Sequence, residues 1–352
     1  MNIHSGPRLL ILTQAVDTEN PYLGFFHRWL EELAPQFSEV RVICLTEGKY
    51  ALPGNVRVFS LGQPTGEVGR STLMKKMRYG MRFLFLIWKL RGEYDAVLVH
   101  MNQEYILIGG WLWRLLGKRI YMWRNHYQGS WLTDIAASYC TNIFCTSTHS
   151  YTAKYPQTVI MPVGVDERMF TCVGGERVEH SVLFFGRIDP TKHPEVLLKA
   201  LVQSAEAGAP YRATFCGPGE ESYVNEVKDR AVQLGLSDTV RFAGAVPHAE
   251  AVRLFSANEV YVNCSPSGMY DKTIFEAASC GCIVIASSAD YANTADPRLS
   301  FPQGDAQALA DRLIALWSLS REGKRELIEG IEREAANHSL TTLADRLARA
   351  IH

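Results

Sequence analysis

Strand-like apolar runs alternate with amphipathic helical stretches along most of the chain, and they do so in two successive series. In the first series "RLLILTQ" is followed by "GFFHRWLEELAPQF" and "VRVICL", and later by "DAVLVHMN", "GGWLWRLLG", "RIYMWRNH" and "TNIFCTS". Strand, helix and strand in that order join through crossovers, which makes the strands parallel and lays helices over the sheet. The alternation stops near "VIMPVGVDERMF" and restarts at "HSVLFFGRIDP", across the polar, glycine-containing "TCVGGERVEH". It then runs through "HPEVLLKALVQSA", "YRATFCGPG", "SYVNEVKDRAVQLG", "VRFAGAVPH" and "EVYVNCSPS" to "IVIAS" and further helices. The expected fold class is α/β, with two Rossmann-like doubly wound domains at residues 1–168 and 179–330 and a linker at 169–178. A last helix within 331–352 is expected to pack back on the first domain. A length of 352 residues leaves each domain enough chain for its own core.

In such domains ligands bind beyond the carboxyl ends of the strands, so the residues that follow the strand-like runs are the informative ones. After "SVLFF" come Gly186 and Arg187, then Asp189, Pro190, Lys192 and Pro194 just ahead of a helix near Glu195. Two cations beside a helix N-terminus suit a diphosphate, which needs neutralising charge and several donors. A surface turn with solvated cations is the competing reading. "FCGPGEE", with Gly217 and Gly219, follows another strand; its glycines permit close backbone approach, although Gly-Pro-Gly is also common in plain turns.

The stretch "SGMYDKTIFEAASCGCIVIAS" reads as a short helix over Thr273–Ser279, an end at Gly281 and a buried strand at Ile283-Val284-Ile285. Asp271, Lys272 and Thr273 fall at the helix start, where unpaired N–H groups favour an anion. Glu276 lies about one turn in, among Ile274, Phe275, Ala277 and Ala278. A carboxylate there suits the paired hydroxyls of a ribose; the commoner situation is a glutamate that stabilises its own helix.

Composition narrows the function classes. A net charge of −1 does not attract nucleic acid to the molecule as a whole. Apolar and charged residues, at 47% and 21%, are ordinary for a globular protein, and no uninterrupted apolar run reaches the length of a bilayer span. The eight cysteines are scattered, mostly among apolar neighbours, and Cys280 and Cys282 have no matching second pair for zinc. Free thiols in a reducing compartment are expected, so the chain reads as cytoplasmic. One segment departs from the average. Residues 70–91, "RSTLMKKMRYGMRFLFLIWKLR", carry seven cations, no acid and a dense set of apolar side chains. Basic amphipathic stretches favour anionic membrane surfaces, and a core helix with a solvated basic side is the alternative.

Together, "VLFFGRIDPTKHPEVLLKAL", "FCGPGE", "VRFAGAV" and "SPSGMYDKTIFEAASCGCIVIAS" resemble, in order, the nucleotide-sugar domain of family 4 glycosyltransferases. These are retaining enzymes whose two domains face a cleft, the GT-B architecture. The first half fits through Gly24 in "LGFFHRWLEEL", through "VLVHMN", "IYMWRNH" and "MPVGVDERMF", so the resemblance runs from about residue 8 to about residue 320. It implies that Arg187 and Lys192 bind the donor diphosphate and that Glu276 holds the ribose hydroxyls. Thr273 and its neighbours, Lys272 among them, would offer backbone amides to the diphosphate, and Gly186, Gly217 and Gly219 would belong to the nucleotide-binding loops. Val246 in "GAVPH" would approach the base, Gly24 would face the diphosphate, and His126 would lie near donor sugar and acceptor.

One position departs from the family pattern. The first acid of its Glu-x7-Glu motif falls here on Gly268, and Asp271, three residues later, is the nearest acid. The implied donor is a UDP- or GDP-linked sugar and the acceptor a carbohydrate or lipid-linked hydroxyl, with no metal or other cofactor required. Peripheral contact through 70–91 would bring the enzyme to the inner face of the membrane. A nucleotide-sugar-binding protein without transferase activity is the alternative that Gly268 raises. A dinucleotide-dependent oxidoreductase is disfavoured, because "LTQAVDTENPYLG" after the first strand lacks G-x-G-x-x-G.

Overall fold

A computed structural model describes residues 6–20, 23–64, 73–172, 174, 177–268 and 270–352, with the backbone alone of residue 248. The chain divides into two compact units, Met1–Met161 with Leu340–His352, and Pro162–Ser339.

In the first unit the strands are β1 (Arg8–Val16), β2 (Glu39–Glu47), β3 (Val56–Gln63), β4 (Ala96–His100), β5 (Arg119–Trp123), β6 (Asn142–Cys145) and β7 (Thr158–Ile160). Its helices are α1 (Phe26–Leu33), α2 (Leu73–Lys89), α3 (Glu104–Leu115) and α4 (Trp131–Tyr139). All the strands are parallel, in the order β3-β2-β1-β4-β5-β6-β7. Because side chains alternate along a strand, β1 feeds two cores. Leu9 and Ile11 join Phe26, Trp29 and Leu33 of α1 on one face, whereas Leu10 and Leu12 join Phe83 and Ile87 of α2 and Trp113 of α3 on the other.

The second unit contains β8 (Val178–Phe185), α5 (Pro194–Glu206), β9 (Arg212–Cys216), α6 (Glu221–Gln233), β10 (Val240–Gly244), α7 (Ala251–Ala257) and β11 (Asn258–Asn263). It continues with α8 (Lys272–Ser279), β12 (Ile283–Ala286), α9 (Ala289–Ala292), α10 (Ala306–Trp317) and α11 (Arg321–Asn337). Its five parallel strands run β10-β9-β8-β11-β12. The helix expected at Thr273–Ser279 starts one residue earlier, and Gly281, at φ +72°, stands just beyond its end. In both sheets the strand order reverses beside the first strand, between β1 and β4 and between β8 and β11. A crevice for a ligand opens at that point in a doubly wound sheet.

The division differs from the expected boundaries. It falls after Met161, not at residue 168, because Val163, Val165 and Phe170 are buried in the core of the second unit. At the other end, Ile331 and Ala335 of α11 stay in that same core. Only the last helix, α12 (Leu340–Ile351), joins the first unit, burying Leu343, Leu347 and Ile351 beside α1. Part of the expected linker is strand and anchor: β8 starts at Val178, and Arg177 donates to the carbonyls of Asn258 (2.8 Å) and Cys280 (3.0 Å).

Candidate active site

The switch point of the second sheet gathers most of the expected residues. Gly186 and Arg187 follow β8, Gly217 and Gly219 follow β9, Val246 follows β10, and Asp271 begins the helix after β11. The first three loops are laced together by backbone hydrogen bonds, from the Gly186 N–H to the Cys216 carbonyl (3.0 Å) and from the Gly217 N–H to the Gly244 carbonyl (2.9 Å). Gly217 has φ +150°, and a Cβ built on it would stand 1.8 Å from the Gly186 carbonyl oxygen. Backbone packed this closely leaves no room for a side chain, and φ in that region is strained for any L-residue. Gly217→Ala is expected to lower stability by about 2 kcal/mol, read as a lower melting temperature. A melting curve that coincides with that of the wild type would show that the loop has another conformation. Val246 is half-buried against the core of this unit.

Lys192 is not the solvated cation of a surface turn. It closes a single 3₁₀ turn, Pro190–Lys192, whose first residue follows Asp189; the Asp189 carboxylate accepts the Thr191 N–H at 2.9 Å. From there the Lys192 ammonium reaches back to Asp271 Oδ2 (2.5 Å) and Ser265 Oγ (2.9 Å), with the two charged side chains 14% and 19% exposed. The same oxygen of Asp271 also accepts from Asn263 Nδ2 (3.0 Å) and from the Ser265 hydroxyl. Asn263 passes the network on to the Tyr261 hydroxyl (3.0 Å), which bonds to Thr273 Oγ1 (2.7 Å). Burial by itself would raise the Asp271 carboxyl pKa; the Lys192 charge and the hydrogen bonds from Asn263, Lys192 and Ser265 outweigh it and hold the group below its ordinary value.

Asp271 is thereby committed to the Lys192 network. As the residue before α8 it takes the N-cap position, yet its side chain makes no capping hydrogen bond. The carboxylate of Asp271, the nearest acid to Gly268 in sequence, is turned towards Lys192. Arg187 is the more exposed cation, at 57% of its side chain, and pairs with Asp189 at 3.3 Å.

Glu276 lies on the buried side of α8, 1% exposed. Lys272, one turn earlier, is lowered in pKa by burial, against the opposing pull of Glu276 and Asp166. Asp166 is itself buried, and its carboxylate accepts the Arg168 N–H at 3.2 Å. Three ionisable groups therefore meet about the first turn of α8. Asp166, Asn263 and Ser265 were missed by sequence reasoning. The last two stand at the end of β11, where any polar residue merits attention; Asp166 carries no local signal.

Gly24 and His126 belong to the first unit. Gly24 stands just before α1, its N–H bonded to the Asn20 carbonyl (3.0 Å). His126 follows β5, and its Nδ1 accepts the Gln128 N–H at 2.9 Å, which leaves the proton of the neutral ring on Nε2. Burial lowers its pKa, opposed only in part by the Gln128 carbonyl, which lies 3.3 Å from Nδ1 and would accept its proton in the charged ring, so the ring is neutral near neutral pH. His100 is a core residue: it is 2% exposed, stacks on Phe26 with ring centres 4.1 Å apart, and burial pushes its pKa down to about 3. Among the described residues no group of three or more His, Cys, Asp or Glu side chains is arranged to hold a metal ion.

Residues 177–333 match the family model for glycosyl transferases group 1. A D-inositol 3-phosphate glycosyltransferase of Segniliparus rotundus is 30% identical over 149 residues, which are 39% of this chain and 33% of the relative. A phosphatidyl-myo-inositol mannosyltransferase of Mycobacterium leprae is 32% identical over 151 residues, 41% of this chain and 38% of the relative. The matched stretch thus spans between a third and two fifths of these relatives' length. Among solved structures, Anabaena Alr3699/HepE in complex with UDP superposes with a TM-score of 0.77 at 17% identity, over 98% of this chain and 99% of the other. TarM gives 0.78 at 7% identity, with complete coverage of both chains. At these identities the structural likeness speaks for the fold. The chain therefore has the GT-B fold, and over residues 177–333 it matches the family model for glycosyl transferases group 1.

Proposed function

We propose that the protein is a retaining glycosyltransferase that moves a sugar from a UDP- or GDP-linked donor to a hydroxyl of a carbohydrate or lipid-linked acceptor, in glycan, polysaccharide or glycolipid assembly. The observation that carries this reading is the Lys192 ammonium, fixed by Asp271 and Ser265 beside the first turn of α8 at the strand-order reversal. A cation beside the N-terminal amides of a helix forms a site for a diphosphate. The family match over the same residues supports this assignment.

In this mechanism the charge that develops on the leaving diphosphate is met by Arg187, Lys192 and the amides at Lys272 and Thr273. Glycine loops at Gly186, Gly217 and Gly219 allow backbone to approach the nucleotide, Val246 lies towards the base, and Glu276 takes the ribose hydroxyls. The acceptor hydroxyl attacks on the face from which the diphosphate leaves, and a diphosphate oxygen takes its proton. Rate enhancement then rests on positioning and preorganised charge, with no side-chain nucleophile and no metal ion assigned. Gly24 and His126 enter the reading through the family resemblance, Gly24 towards the diphosphate and His126 as a neutral ring towards donor sugar and acceptor. The enzyme works in the cytoplasm, in peripheral contact with the inner face of an anionic membrane through 70–91. No described helix is long and apolar enough to cross a membrane.

A thermal-shift screen of nucleoside diphosphates tests the site, because a ligand that binds only the folded state must raise its melting temperature. One of UDP or GDP is expected to stabilise the protein, and no response to either would remove the assignment. Pooled UDP- and GDP-sugars with sugar and lipid acceptors then distinguish transfer from binding alone. Glu276→Gln keeps the shape and removes the charge. It is expected to weaken the nucleotide by about tenfold, the loss of about 1.4 kcal/mol, with nearly unchanged melting of the free protein. The reverse pattern, lower melting with unchanged affinity, would make Glu276 a helix-supporting residue.

A further inference from the structure

Helix α2 has two apolar stripes. Tyr79, Phe83, Leu86 and Ile87 face the core and are buried. On the opposite side Met74, Met77, Met81, Phe85 and Trp88 recur at intervals of three and four residues, and all of them are exposed, Met74 at 81%. The outward side of a helix in water is ordinarily polar. The neighbours repeat the anomaly: Ile108, Trp111 and Leu115 stand out from α3, and Trp131, Leu132 and Ile135 from α4. These three helices form one layer on one face of the sheet, since their inner side chains share a single core. More than half of the large apolar side chains exposed among the described residues lie on this one layer.

Charge accompanies them. Lys76, Arg78, Arg82, Lys89 and Arg91 are exposed around the α2 stripe, and residues 73–91 contain no acid; Arg70, part of the same basic run in sequence, lies outside the described residues. Arg91 lies over the Trp88 ring at 4.5 Å, and Arg114 of α3 over Tyr139 of α4 at 4.8 Å. Of the acids on the layer, Asp134 is already bound by Lys154 at 2.8 Å. A face that is at once apolar, aromatic and cationic complements a bilayer with anionic headgroups. It does not complement a second copy of itself, because pairing two such faces would bring like charges together.

We propose that the outer face of α2, α3 and α4 docks on an anionic bilayer. Phe85, Trp88, Trp111 and Trp131 enter the headgroup boundary while the α2 cations sit at the lipid phosphates. This deepens the contact proposed for 70–91 from one charged segment to a three-helix surface held by burial as well as by charge. Its test does not depend on the transferase reading.

Co-sedimentation with phosphatidylcholine–phosphatidylglycerol vesicles, at low and at high salt, is the experiment. The wild type is expected to bind at low salt and to keep part of its binding at high salt, where the charge contribution is screened. Lys75, Lys76 and Arg78 reversed together to Glu should weaken binding by about a hundredfold or more, since each cation near the surface contributes about a factor of five. Trp111→Ser with Trp131→Ser should remove the salt-resistant part, by about tenfold, and leave the low-salt attraction. Lys76, Arg78, Trp111 and Trp131 are exposed and Lys75 is half-buried on the helix surface, so both variants should melt close to the wild type and keep the wild-type response to nucleoside diphosphates. That response separates failure of the surface from failure of the nucleotide site. A wild type that ignores anionic vesicles at low salt overturns the proposal. So do tryptophan variants that bind as the wild type does, and so does a concentration-dependent dimer in light scattering that is lost in those variants without vesicle binding.

Discussion

Alanine at both Arg187 and Lys192 is expected to slow sugar transfer by about a thousandfold or more. Each charge-assisted contact to a leaving diphosphate contributes about 2–3 kcal/mol in the transition state, and about 1.4 kcal/mol is a factor of ten. Both cations would act on one ligand, so the two effects fall short of a simple sum. The single variants should differ in stability. Arg187 is mostly exposed, and its pair with Asp189 is a surface pair of small worth, so Arg187→Ala should melt within about 0.5 kcal/mol of the wild type. Lys192→Ala leaves the Asp271 carboxylate in a mostly buried site without its cation, so it should melt lower as well as turn over slowly. Adding Asp271→Asn to Lys192→Ala should recover part of the melting temperature and none of the activity. Release of nucleoside diphosphate from pooled UDP- and GDP-sugars is the assay. Turnover near the wild-type rate in the Arg187, Lys192 double variant would remove these residues from the reaction.

The behaviour of Lys192 also marks where sequence reading stops. Alternating periodicity showed where β8 ends and α5 begins, and so placed Gly186, Arg187 and Lys192 at the mouth of a strand. It could not show that Lys192 is already occupied. The partner, Asp271, lies 79 residues away, and the two meet only because β11 is the neighbour of β8 across the reversal of strand order. Strand order is a property of the sheet and leaves no local trace. The same limit hid Asp166, which approaches Lys272 from a segment before β8. It also hid which core takes Val163 and Val165, since "VIMPVGVDERMF" reads alike whichever one buries them. For α2 the sequence displayed cations and apolar residues together, but two apolar stripes on one helix look the same from either side. Only the sheet decides that Phe83 turns inward and Phe85 outward.

Asp271→Asn is expected to lower stability by about 2–3 kcal/mol at neutral pH, because it removes one partner of a mostly buried ion pair while keeping the shape of the side chain. The sign of the pH dependence follows from the lowered pKa of this carboxyl. A group held below its unfolded value contributes stability above that value and loses it as pH falls through the folded one. The wild type should therefore melt above the variant at neutral pH, and the gap should close as the solution is acidified below the ordinary carboxylate range. A gap that stays constant well below that range would mean that the Asp271 charge is not what the site uses. Ligand binding then separates two roles. If Asp271 replaced the acid missing at Gly268, its loss would weaken a sugar nucleotide while sparing the nucleoside diphosphate. The geometry turns Asp271 Oδ2 to Lys192, Asn263 and Ser265, so its effect on ligand is expected to pass through the Lys192 ammonium and hence through the diphosphate. Affinities for the sugar nucleotide and for the nucleoside diphosphate should accordingly change by the same factor in Asp271→Asn, as measured by calorimetry. A selective loss for the sugar nucleotide would return Asp271 to the donor sugar and leave Lys192 with some other anchor in the bound state.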